Sequence, residues 1–379
     1  MNKKNFSLLR NDGFQTLLAS LLCILGGLLV GYIVLLIIEP SGAWGAIVAV
    51  VQNFLRYPNK ALKLKYFGQT LVRTAPLLMC ALSVLFAYKV GMFNIGAAGQ
   101  YVVGACACLY AALKFGMPWY VCILAAIIAG AIWGALAGAL KTFCNVNVVI
   151  SGIMLNWIGL YLTNLILAQV KNPTSPYTLG LRSKNPAALL PSMGLKALFN
   201  NEKTVTIAIP IAIIMAIVVW VILNKTKFGY ELKATGFNYH AAKYCGMKEN
   251  RNIILTMMIA GALAGLGASL LYLTGIEEWE TTLASVPGMG FNGIAVAFLG
   301  GLSPIGSILA AFFIEHISTG GGNVDLTLYC SQISDLISSL IIFLCAFVGF
   351  FKMYLQSALR KRDDLAAAKA ATNKEGGEG

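Results

Sequence analysis

The sequence predicts an all-α polytopic membrane protein with about ten transmembrane helices, some of them discontinuous, and with both termini in the cytoplasm. Three observations predict it. Of 379 residues, 58% are apolar and only 11% are charged; a soluble domain carries about 25% charge, and a soluble chain this long needs it to cover its surface. The apolar residues fall in runs, several of them near the roughly 20 residues that a helical span requires. The Lys and Arg residues behind the net charge of +13 sit mostly in short clusters between those runs, as membrane topology demands. That placement also excludes nucleic-acid binding, because no folded basic region remains to do it.

In chain order, Lys3, Lys4 and Arg10 precede an apolar run over 14–38. The run exceeds the roughly 7–15 residues of a signal peptide's apolar region, so it predicts an uncleaved first helix that starts in the cytoplasm. Further spans are predicted over 69–89, 93–114, 118–140, 148–169, 204–223, 252–275, 286–300, 303–318 and 326–352. The pair 69–89 and 93–114 and the pair 286–300 and 303–318 are short, interrupted by Gly or Pro, or joined by few residues. Broken helices in transport proteins border the path, because irregular backbone survives at membrane depth only beside protein or water. Kinks in a packed bundle are the structural alternative.

Charge sets the orientation. Lys225, Lys227, Lys233, Lys243, Lys248 and Arg251 place the loop after the sixth span inside, and Lys352, Arg360, Lys361 and Arg362 place the C-terminal tail with it. Glu277, Glu278 and Glu280 then face outward. Arg56, Lys60, Lys63 and Lys65 also fall outside, against the usual bias. The run 42–55 before them is too short for a comfortable span, and a span there would invert every later loop. Residues 170–203, with Pro173, Pro176, Pro186 and Pro191, predict an ordered outer loop. Residues 356–379, mostly Ala, Lys, Glu and Gly towards the end, predict a disordered cytoplasmic tail with too little apolar surface to fold alone.

The chain holds no G-x-x-x-x-G-K-[ST] sequence and not one Gly-Lys pair, so no P-loop for ATP is legible. Gly288, Gly290 and Gly293 form a literal G-x-G-x-x-G, but the run opens a membrane segment and no strand precedes it. These glycines instead let a helix begin deep in the bilayer and present free amides to a polar solute. The nine cysteines are scattered, mostly in apolar runs, and read as packing residues without metal-ligand spacing. Ladders of Gly130, Gly134 and Gly138, of Gly261 and Gly265, and of Gly27 and Gly31 predict close helix contacts.

Polar residues inside spans are costly and often functional. They include Asn94, Gln100, Ser151, Asn156, Asn164, Asn292, Glu315 and Asp335. Neutral amides suit the hydroxyls and ring nitrogens of a neutral solute, and Phe93 and Trp157 flank two of them, where stacking on a base or sugar face is one reading and plain packing the other. Phe93, Asn94, Gln100, Asn156, Trp157 and Asn292 are therefore the candidate solute path, with interhelical hydrogen bonding as the alternative for each amide. A stand-alone secondary transporter would need a coupling-ion site, for which Glu315 and Asp335 are the obvious acids. An intramembrane enzyme would need a metal set or a nucleophile and base, and neither is evident. In the inward loop, Asn238 is a good N-cap and Gly246 a good residue past the C-terminus of a two-turn helix, which reads as a docking element for another protein, with an ordinary connecting helix at the lipid surface as the alternative.

That loop, Phe228 to Met247, resembles the coupling segment of ABC importer permeases for ribose, other simple sugars, nucleosides and branched-chain amino acids. Gly91-Met92-Phe93-Asn94-Ile95-Gly96-Ala97-Ala98-Gly99-Gln100 and Phe291-Asn292-Gly293-Ile294-Ala295-Val296-Ala297-Phe298-Leu299-Gly300 resemble two signatures of the same branch, and the likeness covers about 70–350. It implies a transmembrane permease domain over 1–355 with a coupling loop at 225–250, in which Gly236, Asn238, Ala241, Ala242 and Gly246 face the ATPase. It also implies a partner ATPase that uses the ATP, a second permease subunit, identical or similar, and an extracellular solute-binding protein or lipoprotein. No cofactor is expected on this chain, and the setting implied is the bacterial plasma (inner) membrane. The Phe-Asn-Ile-Gly form is most like the nucleoside permeases, of guanosine or uridine type; ribose or another simple sugar is the alternative. Ala97-Ala98 and Asn292 depart from that pattern by removing acid.

Overall fold

A computed structural model describes residues 12–325, 327–330, 332–345, 347–354, 356–358 and 361. Lys3, Lys4, Arg10, Arg360, Arg362, most of the expected tail and the side chain of Asp335 lie outside what is described. The described α-helices longer than four residues are α1 (Asp12–Ile38), α2 (Ala43–Gln52), α3 (Lys60–Tyr88), α4 (Ala97–Leu113), α5 (Trp119–Cys144), α6 (Val148–Leu167), α7 (Ala208–Lys225), α8 (Lys227–Phe237), α9 (Tyr239–Tyr244), α10 (Glu249–Tyr272), α11 (Met289–Leu299), α12 (Pro304–Gly321) and α13 (Ile333–Cys345). Six of them, α1, α3, α5, α6, α7 and α10, are long and apolar enough to cross a membrane, and α4 and α11 are shorter apolar helices.

Helix ends follow local chemistry. Asn59 caps α3 by accepting from Ala61 N (2.9 Å), so Lys60, Lys63 and Lys65 begin a helix rather than fill a loop. Residues 42–55 form the short α2 and a 3₁₀ turn, broken where Asn53 takes a positive φ of 39°. Asn53 Nδ2 donates to His316 O (3.0 Å) and lies 3.2 Å from His316 Nδ1, whose ring Nε2 meets Val51 O (2.9 Å). This pins α2 to α12. The expected 93–114 span starts only at Ala97. The expected 286–300 span shrinks to the 11 residues of α11, about 16 Å at 1.5 Å per residue, half of a bilayer core.

α3 and α10 form the centre, with residues 74–87 and 263–272 buried. The tightest seam joins α10 to α5. A Cβ on Gly130, Gly134 or Gly265 would strike the carbonyl of Gly261, Met257 or Ala126 respectively; only glycine lets the two backbones touch. α1 lies on the rim against α13, where Gly27 meets Ile341 and Gly31 meets Ile337. Outward faces are apolar instead of charged: Leu25 and Leu29 on α1, Ile128 and Ile132 on α5, Ile214 and Ile217 on α7. Lipid, unlike water, tolerates such faces. Lys225 at the end of α7 lies over the Trp220 ring, 5.5 Å from its centroid, an interfacial pairing.

One end of the bundle carries α8 and α9, with Gly236 packed on the backbone of Val90 and Gly91. The start of α1 and residue 356 meet at this end through a Gln356–Gln15 hydrogen bond (3.0 Å). The opposite end carries residues 168–207 and 273–288. As expected, 170–203 is ordered: Asn185 Nδ2 donates to Ala112 O (2.9 Å) and Met117 O (3.0 Å), and Thr178 N donates to Trp279 O (2.8 Å).

Candidate functional site

Both glycine-rich interruptions meet in the middle of the bundle. Gly290, in the first turn of α11, packs on the backbone of Ala98 in the first turn of α4, and a Cβ on Gly293 would lie 2.7 Å from Cys80 Cβ of α3. A helix that starts here leaves its first amides without intrahelical partners. For α4, Asn156 of α6 supplies one: its Oδ1 accepts from Gly99 N (2.7 Å), while its Nδ2 donates to Ile95 O (3.1 Å). Asn94 and Gln100 pair with each other. Asn94 Nδ2 donates to Gln100 Oε1 (2.9 Å) and to Ser83 Oγ (3.2 Å), and Gln100 Nε2 donates back to Asn94 Oδ1 (3.3 Å). All three amides are buried. The structure therefore brings Asn94, Gln100 and Asn156 together, but as the scaffold of the break.

The other candidates sit differently. Phe93 is half-buried. Trp157 is 41% exposed on the open face of α6 and stacks on Tyr161, ring centroids 6.1 Å apart. Asn292 is half-buried, and among the described residues its side chain makes no hydrogen bond; Phe291 beside it is exposed. Ser151 donates to Val148 O of its own helix (3.1 Å), and Glu315 accepts from Thr319 one turn on (3.2 Å). Glu315 is next in sequence to His316 of the Asn53–His316 contact. A groove of about 570 Å³ between α1, α11 and α12 is lined by Leu21, Leu299, Leu309 and Phe313 among others and holds none of the path candidates.

Sequence reasoning missed an ion pair. Arg73 Nη1 lies 3.2 Å from Glu277 Oε1, joining α3 to the segment before α11. An arginine inside a predicted span was the available signal.

The α8–α9 end is built on caps. Thr226 Oγ1 accepts from Gly229 N (3.0 Å) at the start of α8, and Asn238 Oδ1 accepts from Ala241 N (3.0 Å) at the start of α9. Gly246 closes α9 at φ 76°, a conformation that L side chains avoid. Gly236 has no room for a side chain against Val90. Ala242 is buried and Ala241 exposed, and Phe237 and Tyr244 stand out at 96% and 93% exposure. Asn252 Nδ2 donates to Thr235 Oγ1 (2.9 Å) and Tyr239 Oη to Asn250 Oδ1 (3.0 Å), so the pair of helices is braced on α10. Partial burial, with the charges of Lys233 and Lys352 nearby, holds the Lys89 ammonium below its usual range.

Six long apolar helices, a centre of broken helices and an exposed capped hairpin at one end define a multi-pass membrane transport component. Residues 66–346 match the family described as branched-chain amino acid transport system / permease component, and the chain belongs to that family. It is a permease component, a transport part and not an enzyme. The guanosine ABC transporter permease protein NupP of Bacillus subtilis is 35% identical over 286 residues, 74% of this chain and 81% of the relative. The nucleoside ABC transporter permease protein NupB of Lactococcus lactis is 31% identical over 371 residues, 96% and 99% of the two chains. The glucose ABC transporter permease protein TsgB13 of Haloferax volcanii is 30% identical over 302 residues, 76% and 78%. No solved structure matches the chain.

Proposed function

We propose that this chain is the membrane-spanning subunit of an ATP-driven importer for nucleosides. Its setting in this reading is the bacterial plasma membrane, with ten passes and both termini in the cytoplasm, and residues 1–355 form the permease domain. The end with α8, α9, Lys89, Lys233 and the start of α1 faces the cytoplasm, which agrees with its basic character. Residues 168–207 and 273–288 face outward, with Lys60, Lys63 and Lys65 at the outer end of α3.

The observation that carries the substrate class is Asn292. It is an uncommitted neutral amide at the start of a half-length helix, beside exposed Phe291, whereas Asn94 and Gln100 are bonded to each other and Asn156 to backbone. An amide edge and an aromatic face suit a base or ribose and offer nothing to a charged solute. The names of the two nucleoside-permease relatives support the same choice over glucose. A single chain leaves Trp157 and Tyr161 open, and a second permease subunit, identical or similar, closes the path over them. A separate ATPase uses the ATP and seats Phe237, Tyr244 and the short helix at 238–246, with Gly236, Ala241 and Ala242 beneath. An extracellular solute-binding protein or lipoprotein delivers the cargo to the outer face. This chain binds no cofactor in this scheme.

The test is uptake by the whole complex in cells lacking the chain and again carrying it. Guanosine and uridine uptake should return with the chain, and ribose, glucose or leucine should not compete. Ribose uptake in place of nucleoside uptake would move the assignment to sugars. Topology has its own check. A Lys63→Cys variant without other accessible cysteines should react with an impermeant thiol reagent from outside intact cells, and labelling only after permeabilisation would defeat the ten-pass arrangement.

A further inference from the structure

α6 carries two asparagines, and each holds one of the two interrupted segments. Asn156 caps the start of α4. Asn164 stands two turns along, about 12 Å at 1.5 Å per residue. Its Nδ2 donates to Leu283 O (2.9 Å) and its Oδ1 accepts from Trp279 Nε1 (2.9 Å). Both partners belong to the segment that descends from the 273–288 end into α11. Trp279 is fully buried, and its backbone is bonded both ways to Thr178: Trp279 N donates to Thr178 Oγ1 (3.2 Å), and Trp279 O accepts from Thr178 N (2.8 Å). Thr281 is likewise tied to Pro176. Beyond this point the segment is lightly held. Ala284 and Ser285 are exposed, and Ser285, the one polar side chain among 284–287, makes no hydrogen bond among the described residues before α11 begins at Met289.

We propose that Asn164 is a positioning residue for the transport path, fixing through Trp279 and Leu283 where the descending segment ends and so where α11 presents Asn292. This inference rests on the path reading given above. With Asn156 it makes α6 a rod that holds both breaks, so a displacement of α6 moves both together. Loss of the Asn164 contacts alone frees the α11 side and leaves the α4 side capped.

The test places a cysteine at Val286, which is half-buried and packed on the core, in an assembled complex without other accessible cysteines. Asn164→Leu removes both contacts, and Trp279→Phe removes the indole bond while keeping a ring. Asn164→Leu should raise the rate at which a maleimide labels V286C severalfold, Trp279→Phe should raise it less, and Asn156→Leu should not raise it. At equal abundance, Asn164→Leu should also raise the KM for guanosine, up to about tenfold if the displaced α11 forfeits the Asn292 contact to the solute. Unchanged labelling in both Asn164→Leu and Trp279→Phe overturns the proposal, as does faster labelling with unchanged guanosine KM. Labelling needs no solute, so that arm stands even if guanosine proves not to be carried. If Asn164→Leu fails to accumulate, Trp279→Phe alone decides between the outcomes.

Discussion

The α5–α10 seam and the α4–α11 junction are both places where backbones come close, yet they are built from opposite materials. At the seam, Gly130, Gly134, Gly261 and Gly265 let two continuous helices touch with nothing between them. At the junction, two helices begin in mid-bundle; Asn156 completes the backbone hydrogen bonding at the start of α4, and Asn94 and Gln100 bond to each other beside it. The seam offers no alternative arrangement, because any sliding drives a carbonyl into a Cα. The junction is held by hydrogen bonds, which can be exchanged for others at modest cost. A transport protein needs both a frame that does not yield and a centre that can.

Breaking the seam should have the largest effect. Gly134→Leu puts a side chain where the Met257 carbonyl already lies, so folded protein should vanish from detergent extracts on size-exclusion chromatography. A folded monodisperse peak at wild-type yield would show that the seam gives way after all. Gly236→Leu comes next. It forces α8 off Val90 without touching the centre, so the protein should insert normally while solute-stimulated ATP hydrolysis and uptake are lost together in the complex. Retained coupling would mean that the α8–Val90 contact transmits nothing.

Asn292→Leu sharpens the comparison inside the junction. It removes an amide with no partner, so thermal stability should hold while guanosine uptake falls about tenfold, as for a lost solute contact worth ~1 kcal/mol or more. Asn94→Leu should give the reverse pattern. It strands the Gln100 amide in a buried site at a cost of about 1–3 kcal/mol, lowering the melting temperature of the purified protein by a few degrees with a smaller loss of uptake per folded molecule. Uptake that falls equally in both variants at matched abundance would erase the distinction between scaffold and path.

Much of this was legible in the sequence. Apolar run length gave most helices, and the glycine ladders marked the seam before any contact was known. The caps at Asn238 and Gly246 were readable because capping is local: the partner lies within a few residues. The half-length α11 was visible as a short, glycine-opened run. What the sequence could not carry was the partner of each polar side chain. Asn94 and Asn292 look alike in their glycine-rich surroundings, and only the arrangement of α4, α6 and α11 separates the bonded amide from the open one. Arg73 finds Glu277 across 204 positions of chain, and Asn53 finds His316 across 263, separations at which periodicity carries no information. The start of α3 was placed late because Lys60, Lys63 and Lys65 lower the hydropathy of a run that is nonetheless helical.

α7 is 18 residues long and ends on the Trp220–Lys225 pair. At 1.5 Å per residue it measures about 27 Å, slightly less than the ~30 Å hydrocarbon layer of an average bilayer. α3, with 29 residues, measures about 43 Å and must tilt or project to fit the same layer. A thicker membrane would relieve the long helix while stretching the short one past its aromatic anchor, at fractions of a kcal/mol for each ångström of mismatch. The two helices thus meet one layer in different ways, α7 nearly matching it and α3 exceeding it, with Lys60, Lys63 and Lys65 at the end that has length to spare.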